Sequence, residues 1–208
     1  METLKNLLPV CGIISVIFYF LHVVLGTLLY PGYNPMSQAV SDLTASNSPS
    51  RNIAFSFSLL YGLFSLVFSI YFYIYFKQAI NTPITLGAAF LCLMTVVSFG
   101  YTFFPLSESG YAGTFQDKMH LAVTIAVVLC TVIALVLFTI GFFKTADHKL
   151  LGFISAGTFL LLLTGSVLMK LLPREFFGIA ERINVYAIVF YIGILSFWMN
   201  SYIKAEGV

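Results

Sequence analysis

The sequence predicts an all-α integral membrane protein: a bundle of six transmembrane helices, with a short interfacial helix in the first extracytoplasmic loop. Three observations predict it. The chain has 208 residues, 60% of them hydrophobic and only 9% charged, with a mean hydropathy of +0.98. Soluble domains carry about 25% charged residues, so the solvent for this much apolar surface must be lipid. Six runs (residues 7–30, 53–76, 84–104, 119–143, 150–172 and 183–203) are each long enough to cross the bilayer, which takes about 20 helical residues for about 30 Å of hydrocarbon. None alternates apolar and polar residues as a barrel strand does, and open strands leave backbone groups unpaired in lipid, so the runs are helices. They are expected to form one domain over residues 1–208.

Taken in order, the first run is too long for a signal-peptide core and is expected to be a retained span. After it comes "YPGYNPMSQAVSDLTASNSPSRN", residues 30–52. Asn34-Pro35 puts a capping residue before a proline at the first helical position, which predicts a short helix. Met36, Val40 and Leu43 then recur at helical spacing, so that helix should lie along the membrane surface. Ser48-Pro49 repeats the device before the second span, and Thr82-Pro83 repeats it before the third. Thr114, with Asp117 three residues later, reads as a capping box for the fourth. Glu181 and Arg182 open the sixth. Cys11, Cys92 and Cys130 all fall inside spans, without metal-ligand spacing or a disulfide framework.

Six spans put both termini on one side, with the short connections 77–83 and 144–149. The loops 31–52, 105–118 and 173–182 lie on the other. Lys and Arg divide evenly between the sides, so their plain count does not orient the chain. The long loops carry five of the eight acids and the terminal side carries lysine only; on this basis the termini are placed in the cytoplasm of a plasma-membrane protein.

The long-loop side gathers the candidate site. His120 lies one turn after Asp117 and one turn before Thr124, forming a polar stripe on one helix face. A histidine just inside the bilayer needs a partner. Asp117 either caps the helix or holds one ring nitrogen of His120 and leaves the other free for general acid–base work. Asp42, placed near the end of the surface helix, caps a turn, pairs with Arg51, or supplies a second acid over the bundle mouth. Arg182 and Tyr186 share one face of the sixth span, and Glu181 and Asn184 another. Arg182 anchors at headgroups with Arg174, or joins a carboxylate, Asp42 or Asp117. Ser37 and Ser41 are presented by the surface helix toward the histidine. The candidate catalytic residues are therefore His120, Asp117 and Asp42, and the candidate ligand-binding residues Arg182, Glu181, Ser37, Ser41 and Tyr186. His22, deep in the first span beside Tyr19, makes an interhelical hydrogen bond or belongs to a polar pathway. No metal site is expected: the histidines stand at 22, 120 and 148 and no ligand motif connects them. No cofactor is expected either, and no basic run points to nucleic acid.

The strings "YPGYNPMSQAVSDLTA" after the first span, "FFPLSE" after the third, "DKMHLA" opening the fourth and "ERINVY" opening the sixth resemble the domain of unknown function 998 family over essentially the whole chain. That resemblance implies a bacterial or archaeal multi-pass membrane protein and names no activity. The Ser-Asp motif after the first span is more loosely similar to the damage-regulated autophagy modulator family, over that loop and the helix count alone. The expected partners are the lipid bilayer and a lipid or lipid-linked small molecule held in an extracytoplasmic polar pocket. The competing expectations are a lipid hydrolase or transferase with a His-Asp acid/base site, a proton-coupled transporter, and a scaffold for another membrane protein.

Overall fold

The computed structural model describes residues 7–78 and 81–206. Among these it contains six helices long and apolar enough to cross a membrane. They are α1 (Cys11–Leu28), α2 (Arg51–Gln78), α3 (Thr82–Ser98), α4 (Phe115–Phe143), α5 (Lys149–Leu171) and α6 (Phe177–Glu206). A 3-10 turn, Leu8–Val10, leads into α1, and a helical turn, Gly100–Phe103, extends α3. Each helix packs against its neighbour in sequence, and α6 closes back onto α1, so the six form a ring. Only 22–39% of each helix's most apolar window is buried inside the protein; the remaining apolar surface faces outward, as a lipid-solvated bundle requires.

The larger core cluster is aromatic. Phe68 and Phe72 from α2, Phe138 and Phe142 from α4, and Tyr191 from α6 are fully buried. Polar pairs fasten helix to helix where the chain would otherwise have only dispersion contacts in lipid. Ser155 and Tyr191 share a hydrogen bond of 2.7 Å between α5 and α6, Ser69 and Thr95 one of 3.2 Å between α2 and α3, and Ser196 donates to the carbonyl of Pro9. A second, smaller cluster joins Tyr19 and Val23 of α1 and Val189 of α6 to Tyr33, Val40 and Leu43 of the first loop. That loop is thus part of the core and forms a cap over one end of the ring.

Three local expectations differ from the structure. No helix starts at Asn34-Pro35: Asn34 Oδ1 accepts the Met36 N–H at 3.0 Å, closing a turn, and the helical segment is a 3-10 helix, Val40–Thr44. Its apolar residues Val40 and Leu43 are buried under the loop and do not lie on the surface. The cap of α3 is Asn81, one residue before the expected Thr82, with Asn81 Oδ1 accepting from Ile84 N at 3.3 Å. The sixth helix begins at Phe177, after a 3-10 turn Arg174–Phe176, and not at 183. The loop supplies partners to Glu181 and Arg182, so the helix can continue through two charged residues.

Candidate functional site

Three loops knit together at one end of the ring. Asp42 stands in the first turn of the Val40–Thr44 helix, not near the end of a longer one. Its Oδ2 accepts the Ala39 N–H at 3.1 Å, which caps that turn, and its Oδ1 accepts the Gly110 N–H at 3.2 Å, which ties in the third loop. Asp42 is 3% exposed. Arg51 is exposed at the start of α2, and among the described residues no ion pair joins it to Asp42. The same seam carries Ser46 N–H to Leu106 O at 2.8 Å and Gln38 Nε2 to Ser109 Oγ at 2.9 Å.

The start of α6 is the second seam. Glu181 Oε2 accepts the Val40 N–H at 2.8 Å. Arg182 Nη1 donates to the carbonyls of Pro35 (2.7 Å), Gln38 (2.8 Å) and Gly178 (2.9 Å), and Nη2 donates to the Tyr33 hydroxyl at 2.6 Å. Tyr33 in turn donates to Ala39 O at 2.7 Å. The guanidinium therefore does not pair with Asp42 or Asp117, as one expectation had it; it satisfies the loop carbonyls of Pro35 and Gln38, which have no secondary structure to pair with, together with one carbonyl in the first turn of its own helix. Gly178 makes the approach possible, because a Cβ there would overlap Gln38 O and come within 2.6 Å of Pro35 O. Arg174 Nη2 adds a bond to Gly110 O at 3.1 Å.

Asp117 closes the third loop on itself. Thr114 Oγ1 accepts the Asp117 N–H and Asp117 Oδ2 accepts the Thr114 N–H, both at 3.2 Å, which is the expected capping box. Oδ1 also accepts the Ser107 N–H at 2.7 Å, and the Ser107 hydroxyl lies 2.9 Å from both carboxylate oxygens. Fully buried and surrounded by these donors, Asp117 does not reach His120, which corrects the expected Asp–His dyad. Instead His120 Nδ1 lies 2.9 Å from Phe104 O, and the ring packs on Tyr101 at 4.8 Å between centroids. A carbonyl only accepts, so Nδ1 carries the proton and Nε2 keeps its lone pair.

The remaining candidates lie apart. Ser37 and Ser41 are partly exposed on the loop, and among the described residues no hydrogen bond links either side chain to His120. Tyr186 sits one turn below Arg182 and packs on Phe20 at 5.3 Å and on Tyr19 at 6.1 Å. His22 meets the Tyr19 ring edge-on at 5.6 Å, yet among the described residues neither its nitrogens nor the Tyr19 hydroxyl has a hydrogen-bond partner. The expected interhelical bond of His22 is absent among the described residues. Thr124 and Thr131 donate to His120 O and Val127 O on their own helix, and Thr124 Oγ1 also accepts from the Tyr101 hydroxyl at 3.1 Å, which links α4 to the turn after α3 beside His120. Among the described residues no three His, Cys, Asp or Glu side chains are grouped to hold a metal ion. Sequence reasoning missed Tyr33, Ser107 and Gly178. All three are partners of residues it did name, and no local pattern marks them.

A closed ring of six apolar helices under a hydrogen-bonded loop cap defines a multi-pass membrane protein. The chain belongs to the family described as "Protein of unknown function (DUF998)", whose model matches residues 13–198. Neither a curated protein nor a solved structure matches it.

Proposed function

We propose that this protein is a single six-helix domain of the cell membrane that holds a lipid or lipid-linked small molecule beside its extracytoplasmic loop cap, with both termini cytoplasmic. The observation that carries the reading is a groove of about 450 Å³ between α5 and α6, walled by Gly157, Leu161, Ile183, Tyr186 and Phe190. Its wall on α6 continues directly from Glu181 and Arg182, so an acyl chain in the groove brings its headgroup to the capped end. Leu161 and Phe190 are exposed, which gives the groove a lateral opening toward lipid. Gly157 is the lever for a test, because a Cβ there meets nothing within 4 Å. Full-length protein in vesicles containing a diazirine-bearing phospholipid should crosslink mainly through α5 and α6 peptides, and Gly157→Leu should remove that labelling while the protein still accumulates. Even labelling of all six helices, unchanged by Gly157→Leu, would sink the proposal. Maleimide labelling of cysteines placed at the exposed positions Asn47, Glu108 and Glu175 reads the orientation: all three should react from outside intact cells.

A second reading keeps chemistry at the same end. With Nδ1 donating to Phe104 O, His120 is held as the tautomer whose Nε2 can take a proton. A lipid hydrolase or transferase would use it as base without Asp117, whose oxygens are committed to the loop.

A further inference from the structure

At the end of the ring away from the loop cap, five aromatic rings from three elements converge. Tyr75 and Phe76 end α2, His148 lies in the 3-10 turn Ala146–His148, and Trp198 and Tyr202 lie near the end of α6. The rings surround a cavity of about 190 Å³. Trp198 stacks on Tyr202 with centroids 5.2 Å apart, His148 meets both edge-on at 5.0 and 5.4 Å, and Phe76 lies parallel to Trp198 at 6.1 Å. Two of the polar side chains in the wall, Asn81 and Thr145, are already committed. Asn81 Oδ1 accepts from Ile84 N and its Nδ2 donates to Thr145 Oγ1, which itself donates to Gly141 O.

What this cavity can recognise follows from what lines it. Among the described lining residues none is Asp, Glu, Lys or Arg. A bare anion would find no permanent counter-charge among the described lining residues, and a primary ammonium would lose its hydration with no lining carboxylate to replace it. An alkylated ammonium is weakly hydrated and is attracted by the negative faces and by the polarisable surround of clustered rings. The rim adds a second requirement. Lys77, Lys144, Lys149 and Lys204 are all exposed at this end, with Lys144 directly before Thr145 and Lys149 directly after His148; Asp147, also exposed, stands directly before His148, so these side chains leave the rim net positive. Lysines repel a simple cation but hold the phosphate or carboxylate of a zwitterion. We infer that this aromatic cavity is a binding site for a zwitterion carrying a quaternary or highly alkylated ammonium next to an anionic group, either as a free solute or as a phospholipid headgroup. The site is separate from the loop cap and from the groove between α5 and α6.

Trp198 is the chain's single tryptophan, so its emission reports on the cavity directly. Full-length protein in phosphatidylglycerol nanodiscs is titrated with phosphocholine, and separately reconstituted with increasing phosphatidylcholine. A saturable change in Trp198 emission is expected. A response to phosphocholine identifies a free zwitterion as sufficient, and a response to phosphatidylcholine alone identifies the lipid headgroup. Tyr202→Leu keeps apolar bulk and removes a ring, so it should weaken binding about tenfold. The uncharged isostere 3,3-dimethylbutan-1-ol should leave the wild-type emission unchanged. Equal responses to phosphocholine and the isostere, no saturable response to either zwitterion, or undiminished binding by folded Tyr202→Leu would each overturn the inference. The isostere comparison uses the wild type, so a poorly folding variant leaves the test intact.

Discussion

The carboxylate of Glu181 accepts the backbone N–H of Val40 at 2.8 Å across 141 residues of chain. Beside it, Arg182 gathers the carbonyls of Pro35 and Gln38. Together they make the first loop an extension of the sixth helix. A polar loop at a membrane boundary has many backbone groups and few regular partners for them, and a buried group left unpaired costs about 1–3 kcal/mol. The two adjacent charged residues meet that demand, which accounts for charge where the apolar run suggested a helix had not yet begun.

The loop's seat on α6 depends on Gly178. A methyl group there would overlap Gln38 O and press on Pro35 O at 2.6 Å, and both carbonyls belong to a segment held by Arg182. Gly178→Ala should therefore cost about 1–3 kcal/mol, read as a lower thermal midpoint in detergent and faster protease cleavage within residues 31–50. Gly157→Ala is the matched control: it meets nothing within 4 Å and should gain up to about 1 kcal/mol from helix propensity. Equal behaviour of the two variants would mean that the cap is not seated through this contact.

Asp117 is expected to behave as a structural clip. It accepts from Ser107 and Thr114 and is fully buried. Asp117→Ala should lower stability by about 2 kcal/mol through the lost cap and the unpaired donors. Whatever activity the protein has should persist per folded molecule. A variant that accumulates and melts normally but is inactive would return Asp117 to the chemistry.

For His120 two substitutions separate structure from chemistry. Asn can present an N–H to Phe104 O where Nδ1 does now, whereas Ala cannot. His120→Asn should accumulate like wild type, with His120→Ala reduced by the orphaned contact, about 1 kcal/mol. If lipid profiles of a deletion strain are restored by wild type and not by His120→Asn, Nε2 is acting as an acid or base. Full restoration by His120→Asn would leave the ring a packing and hydrogen-bonding role.

Tyr33 gives the fold a limit at high pH. Burial pushes its phenol up from the ordinary value of 10 to about 12, against a weaker downward pull from the Arg182 guanidinium. Above pH 10 the unfolded chain loses this proton while the folded chain keeps it. The contribution is thus complete below pH 10 and is lost as pH rises from 10 toward 12. Thermal midpoints measured across that window should fall for wild type. Tyr33→Phe should start lower, having lost its bonds to Arg182 and Ala39, and fall less steeply. Parallel curves for the two proteins would contradict this assignment.

Much of the fold is written locally. Long apolar runs in lipid have only the helix as a way to pair their backbone, so the number and order of the helices follow from residues 7–203. The Thr114–Asp117 cap joins groups three residues apart, and it too is visible as a pattern. The misreadings share a cause. Asn34-Pro35 carries a local helix signal, but burial of Val40 and Leu43 beneath the loop outweighed it, and turns formed instead. The Asp117–His120 pairing was plausible at one helical turn, but Ser107 competed for the same carboxylate from outside the helix.

By itself, the sequence determined a six-helix membrane protein with its polar residues concentrated in three loops, because hydrophobicity and capping act over a few residues. The tertiary structure alone decided which of those residues are free. Arg182 meets Pro35 across 147 positions and Asp42 meets Gly110 across 68. The partners in both cases are main-chain groups that every residue carries. No side-chain pattern can announce such a contact, so only the closed ring of helices and its docked loop reveal that the acids bind the cap together and that, among the described residues, His120 bonds through Nδ1 and not to Asp117.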